Sequence, residues 1–233
     1  APSSPTCTPM RRWRTGRRRP SDGGGQPRRG RGVMNHPGKR TVLNVGGSSR
    51  NIALPAIYAG YEHLLLDIDP KGQPDLLCDA RELQTTAAAR FDAVYCSHNL
   101  EHYHRHDVPR VLKGFVHVLK PQGFAHIRVP DLMAVMKEAL ARGLEPDDVL
   151  YQSPAGPIQV LDVLYGWGME IERSGVDFYA HKTGFSRKLL TKVLIDAGFR
   201  KVYATIGSLE ISAMAFLVPP DQATRKALNL PED

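Results

Sequence analysis

An apolar run ending in a glycine pair, followed about 20 residues later by an apolar run ending in an acid, constrains this fold most. The first run, residues 41–45, continues into Gly46 and Gly47, and the second, residues 63–66, continues into Asp67. A strand, a glycine turn that opens a helix, and a second strand begin a parallel α/β sheet. Such a turn holds an anion or an adenosyl group against backbone N–H groups, and the acid accepts both ribose hydroxyls. The pattern therefore predicts a cofactor that contains a nucleoside.

The alternation of apolar runs and helical patterns continues along the chain, as a parallel sheet with crossover helices requires. The expected strands are residues 41–45, 63–67, 75–78, 92–97, 123–129, 199–206 and 211–218. The last strand is expected to lie beside the one before it, as an antiparallel hairpin at the sheet edge. Helices are predicted over residues 108–119 with Asp107 as N-cap, over residues 131–142 ended by Gly143, and from Ser186 to Gly198. Residues 120–123 are predicted to form a turn between a helix and a strand.

Residues 144–183 interrupt this rhythm because prolines and glycines break the segment, and residues 158–165 are predicted to form a short helix. The segment is rich in aromatic side chains and histidine: Tyr165, Trp167, Phe178, Tyr179 and His181. One interpretation is an insertion that covers the cofactor cleft as a lid. The alternative is a small hydrophobic cluster beneath a long loop.

The positive charge is concentrated at the N-terminus. The chain has a net charge of +7 and a pI near 9.4, but 11 of its 31 basic residues and one of its 24 acidic residues lie within residues 1–40. The remainder carries 20 basic and 23 acidic residues, so the expected folded body is mildly acidic. Six prolines, seven glycines and no apolar periodicity predict that residues 1–40 form a disordered basic tail. We favour a solvated extension, translated upstream of a natural start at Met34, over an arm that binds nucleic acid or an anionic membrane.

The expected location is the cytoplasm. No apolar run approaches the roughly 18 residues needed to cross a bilayer. The three cysteines, Cys7, Cys78 and Cys96, form no CxxC motif, which fits a reducing compartment and argues against structural zinc.

Several blocks, all in order, resemble the class I S-adenosylmethionine-dependent methyltransferases. The blocks are Val42-Leu43-Asn44-Val45-Gly46-Gly47, Leu66-Asp67-Ile68-Asp69-Pro70, Cys78-Asp79-Ala80, Phe91-Asp92-Ala93-Val94 through Ser97-His98-Asn99-Leu100-Glu101-His102, Lys120-Pro121-Gln122-Gly123 and Ala197-Gly198-Phe199. The resemblance implies a three-layer Rossmann-like α/β sandwich with a mostly parallel seven-stranded sheet whose last strand is antiparallel. It covers residues 41–218 as a methyltransferase domain, leaving residues 219–233 as a C-terminal extension. The implied cofactor is S-adenosyl-L-methionine.

The resemblance also implies roles for individual cofactor-binding residues. Gly46 and Gly47 would approach the methionine part, Asp67 would bind the ribose hydroxyls, and Ile68 would pack against adenine. Asp79 and the Ala80 backbone would meet the adenine amino group, and Ser97 and His98 would line the floor near the sulfonium. The glycine motif departs from the family pattern at Asn44, Ser48 and Arg50, where an acid and two glycines are usual. Asn44 is still expected to bind the cofactor through hydrogen bonds, but it carries no charge.

Methyl transfer depends mostly on holding the acceptor atom in line with the methyl group, and a base is needed only for a protonated acceptor. His98, at the end of the fourth strand, and His181, from the insertion, are the candidate bases; purely structural roles are the alternative. Five neighbouring residues, His98, His102, His104, His106 and Asp107, resemble a metal site by count. Because no third ligand motif accompanies them, no metal is expected.

The expected acceptor is an oxygen, or alternatively a nitrogen, of a small molecule or glycan. Residues 97–100 lack the Asn/Asp-Pro-Pro-aromatic turn typical of enzymes that methylate base amino groups, and Tyr95 rather than proline precedes Cys96. Nucleic acid is therefore disfavoured except as a partner of the basic tail. Two other functions stay open: a cofactor-binding pseudoenzyme or interaction module and, less favoured, an NAD-type oxidoreductase. The sequence leaves the oligomeric state undetermined.

Overall fold

A computed structural model describes residues 8–9, 38–154 and 156–232. The basic tail predicted over residues 1–40 lies outside the described residues, apart from residues 8–9 and 38–40. Thr8–Pro9 form a two-residue strand, β1, at one edge of the main sheet. No helix among the described residues is long and apolar enough to span a membrane.

The main sheet contains eight strands in the part of the chain that the structure describes. After β1 they are β2 (Thr41–Val45), β3 (Glu62–Asp67), β4 (Leu76–Leu77), β5 (Phe91–Ser97), β6 (Leu119–Pro130), β9 (Lys201–Ile206) and β10 (Glu210–Phe216). Between β6 and β9 in the chain, β7 (Val149–Ser153) and β8 (Gly156–Gln159) form a separate hairpin. The order across the sheet is β1-β4-β3-β2-β5-β6-β10-β9. β2 to β6 are parallel, and β10 runs antiparallel to both of its neighbours. Apart from β1, this is the predicted seven-stranded Rossmann-like sheet with its last strand antiparallel.

The last two strands form an antiparallel hairpin at the edge of the sheet, as the sequence predicted. Within it β10 lies between β6 and β9, so β9 is the edge strand. Ile211, Ala213 and Ala215 of β10 are fully buried in the main core. The burial of this apolar row explains why β10 takes the inner place.

The described residues form six α-helices beside the sheet: α1 (Val108–Val118), α2 (Leu132–Arg142), α3 (Val160–Tyr165), α4 (Gly168–Ser174), α5 (Arg187–Ala197) and α6 (Gln222–Ala227). α2 begins and ends as predicted, because the Asp131 side chain accepts from the backbone N–H of Met133 and Gly143 adopts φ +63°. Ser186 caps α5 in the same way. Asp107 precedes α1, but its side chain does not cap that helix.

The expected helix after the glycine turn is absent. Within the described residues 46–61, the connection from β2 to β3 holds a single 3-10 turn, Ala56–Tyr58. The next two crossovers likewise contain 3-10 turns, Pro70–Gly72 and Ala80–Thr85, in place of α-helices. The first connection is rich in glycine and contains Pro55, both poor in a helix interior, so the prediction of an opening helix was wrong. The predicted turn at residues 120–123 instead lies inside β6, next to a shift in its register with β5.

Hydrophobic clusters on both faces of the sheet produce the three layers. On one face α1 and α5 bury a cluster that includes Phe115 and Leu194. On the other face the layer is thin: Tyr58 of the 3-10 turn and the partly buried Leu228 and Leu230 pack against the sheet. A third, smaller cluster joins α2 to residues 149–165, which fits the satellite-cluster interpretation for that part of the insertion.

Candidate active site

Two cavities meet at the carboxyl ends of the parallel strands. The first measures about 390 Å³ and the second about 720 Å³. His98, which follows β5, lines both. Ligands of open α/β sheets bind outside the carboxyl ends of the strands, so both cavities lie where the fold places its chemistry.

The first cavity gathers residues from the ends of four adjacent strands. Among the residues predicted to bind cofactor, Gly46 follows β2, Asp67 ends β3, Ile68 comes next, and Asp79 lies two residues after β4; all four line this cavity. Ile68 is partly exposed, as expected for a side chain that a flat apolar ligand covers. The cavity thus offers an acid for hydroxyls, an apolar wall and a second acid.

Asp67, the acid predicted to bind the ribose hydroxyls, also holds the glycine turn in its conformation. Gly46 adopts φ +69°, and Ser48 adopts φ +54°, a left-handed conformation uncommon for a residue other than glycine. The Asp67 carboxylate is only 7% exposed and accepts hydrogen bonds from the backbone N–H groups of Ser48 and Asp69, each at 2.9 Å. Asp67 therefore fixes the turn as well as facing the cavity.

Asp79 has a partner that sequence reasoning missed. Arg81 donates from Nη2 and Nε to one Asp79 oxygen, at 2.6 and 2.9 Å, and its backbone N–H donates to the other oxygen. Nη1 of Arg81 donates to Asp107 at 3.2 Å, so the carboxylate predicted to cap α1 pairs with Arg81 instead. Hydrogen bonding to Asp79 raises the pKa of Arg81 further above its ordinary value. An adenine amino group would thus share the Asp79 carboxylate with a permanently charged guanidinium.

Residues from the end of the insertion form the outer wall of the first cavity. Asp177, Phe178, Tyr179 and Lys182 line it, and Lys182 pairs with Asp177 at 3.0 Å. The aromatic side chains of this segment are the feature from which the sequence predicted a lid over the cofactor cleft. Trp167 and His181 line the second cavity instead, and Tyr165 lines neither.

Four predicted cofactor residues are absent from the described lining of the first cavity: Asn44, Gly47, Ala80 and Ser97. Asn44 is buried against the glycine turn, since a Cβ built on Gly47 would lie 2.0 Å from the Asn44 side-chain nitrogen. Ala80 is buried behind Asp79, and Ser97 is the last residue of β5. In this structure these four residues do not line the first cavity.

His98 lines both cavities, and two acidic side chains lie beside its imidazole. It adopts φ +49°, and its Nε2 lies 2.8 Å from an oxygen of Glu210 on β10. Burial alone would lower the pKa of His98, but Glu101 and Glu210 outweigh it and raise that pKa to about 9. The imidazole is therefore protonated at neutral pH and is poorly suited to act as a base. Strained backbone at such a place is common in functional sites.

His181 has the opposite electrostatic character. Its Nδ1 lies 2.8 Å from the carbonyl oxygen of Val163, which accepts from a ring N–H, and its Nε2 lies 4.0 Å from the Glu101 carboxylate. Burial lowers the pKa of His181. A neutral ring with an unprotonated Nε2 results, available to accept a proton or to bind a cation.

Glu101 links the two histidines. It lies between His98 and His181, and ligand-type atoms of Glu101, His102 and His181 all lie within 4.8 Å of one another. The sequence pattern excluded a metal because it offered no third ligand beside residues 98–107. The fold supplies that third residue from 79 positions further along the chain than His102.

The sheet is Rossmann-like, and the first cavity, at the carboxyl ends of its strands, offers the groups that a nucleoside cofactor would contact. Residues 43–127 match a family model described as a methyltransferase domain. The match covers about a third of the chain and marks residues 43–127 as a methyltransferase domain. Such a domain is enzymatic, and its cofactor is S-adenosyl-L-methionine.

Solved structures of similar fold include a SAM-dependent methyltransferase from Archaeoglobus fulgidus, with 16% identity, a TM-score of 0.49, and coverage of 76% of this chain and 86% of that one. The 1,6-didemethyltoxoflavin-N1-methyltransferase of Burkholderia thailandensis, solved with 1,6-didemethyltoxoflavin and S-adenosylhomocysteine, has 18% identity, a TM-score of 0.43, and coverage of 76% and 71%. A Methanosarcina mazei methyltransferase has 15% identity, a TM-score of 0.47, and coverage of 77% and 93%. At TM-scores below 0.5 these likenesses add no weight to the assignment. No curated protein matches the chain.

Proposed function

We propose that this methyltransferase binds S-adenosylmethionine in the first cavity and methylates an oxygen of a small molecule or glycan held in the second. The observation that carries the proposal is that His98 lines both cavities. A sulfonium methyl group near His98 would therefore lie within reach of an acceptor on the other side. A nitrogen acceptor is the alternative at the same place.

The reaction is an in-line displacement. The acceptor atom forms a bond to the methyl carbon as the carbon–sulfur bond breaks, and S-adenosylhomocysteine leaves. The rate depends mostly on alignment of the acceptor, and a hydroxyl must also release its proton. Protonated His98 suits orientation of the acceptor by hydrogen bonding, whereas the unprotonated Nε2 of His181 suits either proton acceptance or cation binding.

The second cavity has the composition expected for an uncharged acceptor with hydroxyl groups. Tyr151 and Trp167 offer aromatic surface, and Leu150 and Ile158 add apolar surface. The charged residues in its lining, besides His98 and His181, are acids: Glu138, Asp162 and Glu210. Aromatic walls with a few polar groups suit sugars and ring compounds, whereas acids repel phosphates, so nucleic acid does not suit this cavity.

Transfer of a radiolabelled methyl group from S-adenosylmethionine into fractionated cell extract tests the proposal. We expect label in an uncharged small-molecule or glycan fraction. The variant Trp167→Ala should lower labelling while leaving affinity for S-adenosylhomocysteine within about threefold, a change below 1 kcal/mol. Label confined to nucleic acid or protein would refute the acceptor class. Cofactor binding with no labelled fraction would favour the pseudoenzyme.

A further inference from the structure

The Glu101 side chain is the most unusual buried group in the described part of the chain. It is 1% exposed, and neither carboxylate oxygen has a hydrogen-bond partner among the described residues. His98 Nδ1 lies 3.5 Å from one of these oxygens without the geometry of a hydrogen bond. A buried carboxylate that accepts no hydrogen bond is costly even with an imidazole 3.5 Å away, and a bound cation would satisfy it.

Two imidazoles lie beside this carboxylate and are held from outside. The ring centroids of His102 and His181 are 5.0 Å apart. The carbonyl oxygen of Val163 accepts from Nδ1–H of His181, which leaves Nε2 directed toward Glu101. Histidine ligands of metals are oriented by this kind of hydrogen bond on the far nitrogen.

His102 is also positioned by backbone carbonyls. Its Nδ1 lies 3.1 Å from the Ala180 oxygen and its Nε2 lies 3.0 Å from the His98 oxygen. A neutral ring donates to only one of them, so the lone pair of the other nitrogen points at a carbonyl oxygen, which is an unfavourable contact. A ligand nitrogen of this ring already lies within 4.8 Å of ligand atoms of Glu101 and His181. A rotation of the ring toward those groups would relieve the contact and present that nitrogen to a cation.

The backbone brings these groups together in a fixed way. The Glu101 carbonyl oxygen accepts from the N–H groups of Lys182 and Thr183, at 2.8 and 3.1 Å. These bonds hold the end of the insertion, and His181 with it, against the turn that follows β5. The cluster is part of the folded frame and does not depend on long, mobile side chains.

We propose that Glu101, His102 and His181 bind a divalent transition-metal cation. One carboxylate and two imidazoles suit Zn²⁺, Co²⁺, Fe²⁺ or Mn²⁺ better than Ca²⁺ or Mg²⁺, which prefer oxygen ligands. Three protein ligands leave coordination positions open, and His181 also lines the second cavity. The inference rests on the proposed function only in that the open positions would meet the acceptor; binding itself is independent of it.

The competing explanation is that protonated His98 alone balances the charge of Glu101. His98 is already engaged at 2.8 Å with Glu210, which also accepts from Arg128 at 2.9 Å. The other nearby cation, Lys182, pairs with Asp177. A metal titration separates the two explanations. If protonated His98 alone balances the charge of Glu101, these residues form no cation site and should bind no metal.

The test is a titration of the full chain, stripped with a chelator and dialysed, with Co²⁺ followed by visible absorption and with Zn²⁺ followed by calorimetry. We expect one equivalent to bind and a Co²⁺ spectrum with nitrogen and oxygen ligands. Glu101→Gln and His181→Gln should each weaken binding by roughly 100-fold or more, beyond the 10–100-fold typical of losing an outer hydrogen bond. His106→Gln is the matched control, since His106 is 81% exposed and lies outside the cluster.

Circular dichroism melts of the metal-free proteins keep the result interpretable. In Glu101→Gln, His98 keeps Glu210 as its partner at 2.8 Å, so the metal-free variant should stay folded at the temperature of the titration. The proposal is overturned if the folded wild type binds no equivalent, if His106→Gln abolishes binding, or if Glu101→Gln binds as the wild type does. Methyl transfer without metal binding would refute this inference alone, and metal binding without transfer would refute only the proposed function.

Discussion

Replacement of Asp67 by asparagine should separate its two functions, because each carboxylate oxygen already accepts one backbone N–H at 2.9 Å, from Ser48 or Asp69. Each oxygen keeps a further lone pair for a ribose hydroxyl. Asparagine has one oxygen and one NH₂ group. In Asp67→Asn the NH₂ group would therefore face a backbone N–H donor on one side and could accept no hydroxyl there.

The expected losses follow from these contacts. A hydrogen bond to a charged group contributes about 1.5–3 kcal/mol, so the loss of one ribose contact and the charge should weaken cofactor binding by about 2–3 kcal/mol. That corresponds to roughly 30- to 150-fold in Kd. The orphaned backbone N–H should lower the free energy of unfolding by about 1–3 kcal/mol.

Calorimetry with S-adenosylhomocysteine, at a temperature where circular dichroism shows both proteins folded, measures the first loss, and urea unfolding measures the second. Asp75→Asn is the matched control. Asp75 also accepts a backbone N–H of β3, from Leu65 at 2.8 Å, but it is not among the residues that line the first cavity. It should lose stability to a similar degree yet bind cofactor within about threefold of the wild type. The reasoning is refuted if Asp67→Asn binds normally, or if both variants lose affinity equally.

Three further predictions concern the fold around the site. Phe115→Ala should lower the free energy of unfolding by about 3–5 kcal/mol in urea titrations, because Phe115 is fully buried in the main core; a loss below 1 kcal/mol would contradict that packing. Gly46→Ala should cost about 1–3 kcal/mol and weaken cofactor binding, since Gly46 has φ +69° and a Cβ there would meet Asn99 at 2.1 Å; calorimetry with unchanged affinity would contradict this. Burial and then the charge of Arg128 lower the pKa of His126 to about 4, below the pKa of about 6.5 for histidine in the unfolded chain. As the pH drops from about 6.5 toward 4, the unfolded state therefore binds the proton first, and the free energy of unfolding falls. His126→Gln should reduce this slope by up to roughly 1.4 kcal/mol per pH unit in urea unfolding at several pH values, whereas equal slopes would refute it.

Elements specified by local signals were predictable from the sequence. The Asp131 cap and Gly143 fix both ends of α2 within a few residues of chain, and continuous apolar runs mark strands buried on both faces. The glycine turn and Asp67 come at the carboxyl ends of neighbouring parallel strands, so their meeting at one cavity follows from the strand order alone. These features together identified the class of enzyme and its cofactor.

The tertiary structure decided what depends on contacts between distant segments. Residues 46–61 carry glycines and a proline, and where a helix was expected they contain only the 3-10 turn Ala56–Tyr58, whose Tyr58 packs against the sheet. His181 joins Glu101 and His102 only because the insertion folds back and donates two backbone hydrogen bonds to Glu101. No local sequence pattern predicts that His181 lies beside Glu101 and His102. The burial of a side chain, and the charges near it, depend on which distant segment packs against it. The sequence by itself determined the sheet and the edge of the sheet where the cofactor is expected. Only the packed structure determined how His98, Glu101 and His181 come together where the methyl group would be transferred.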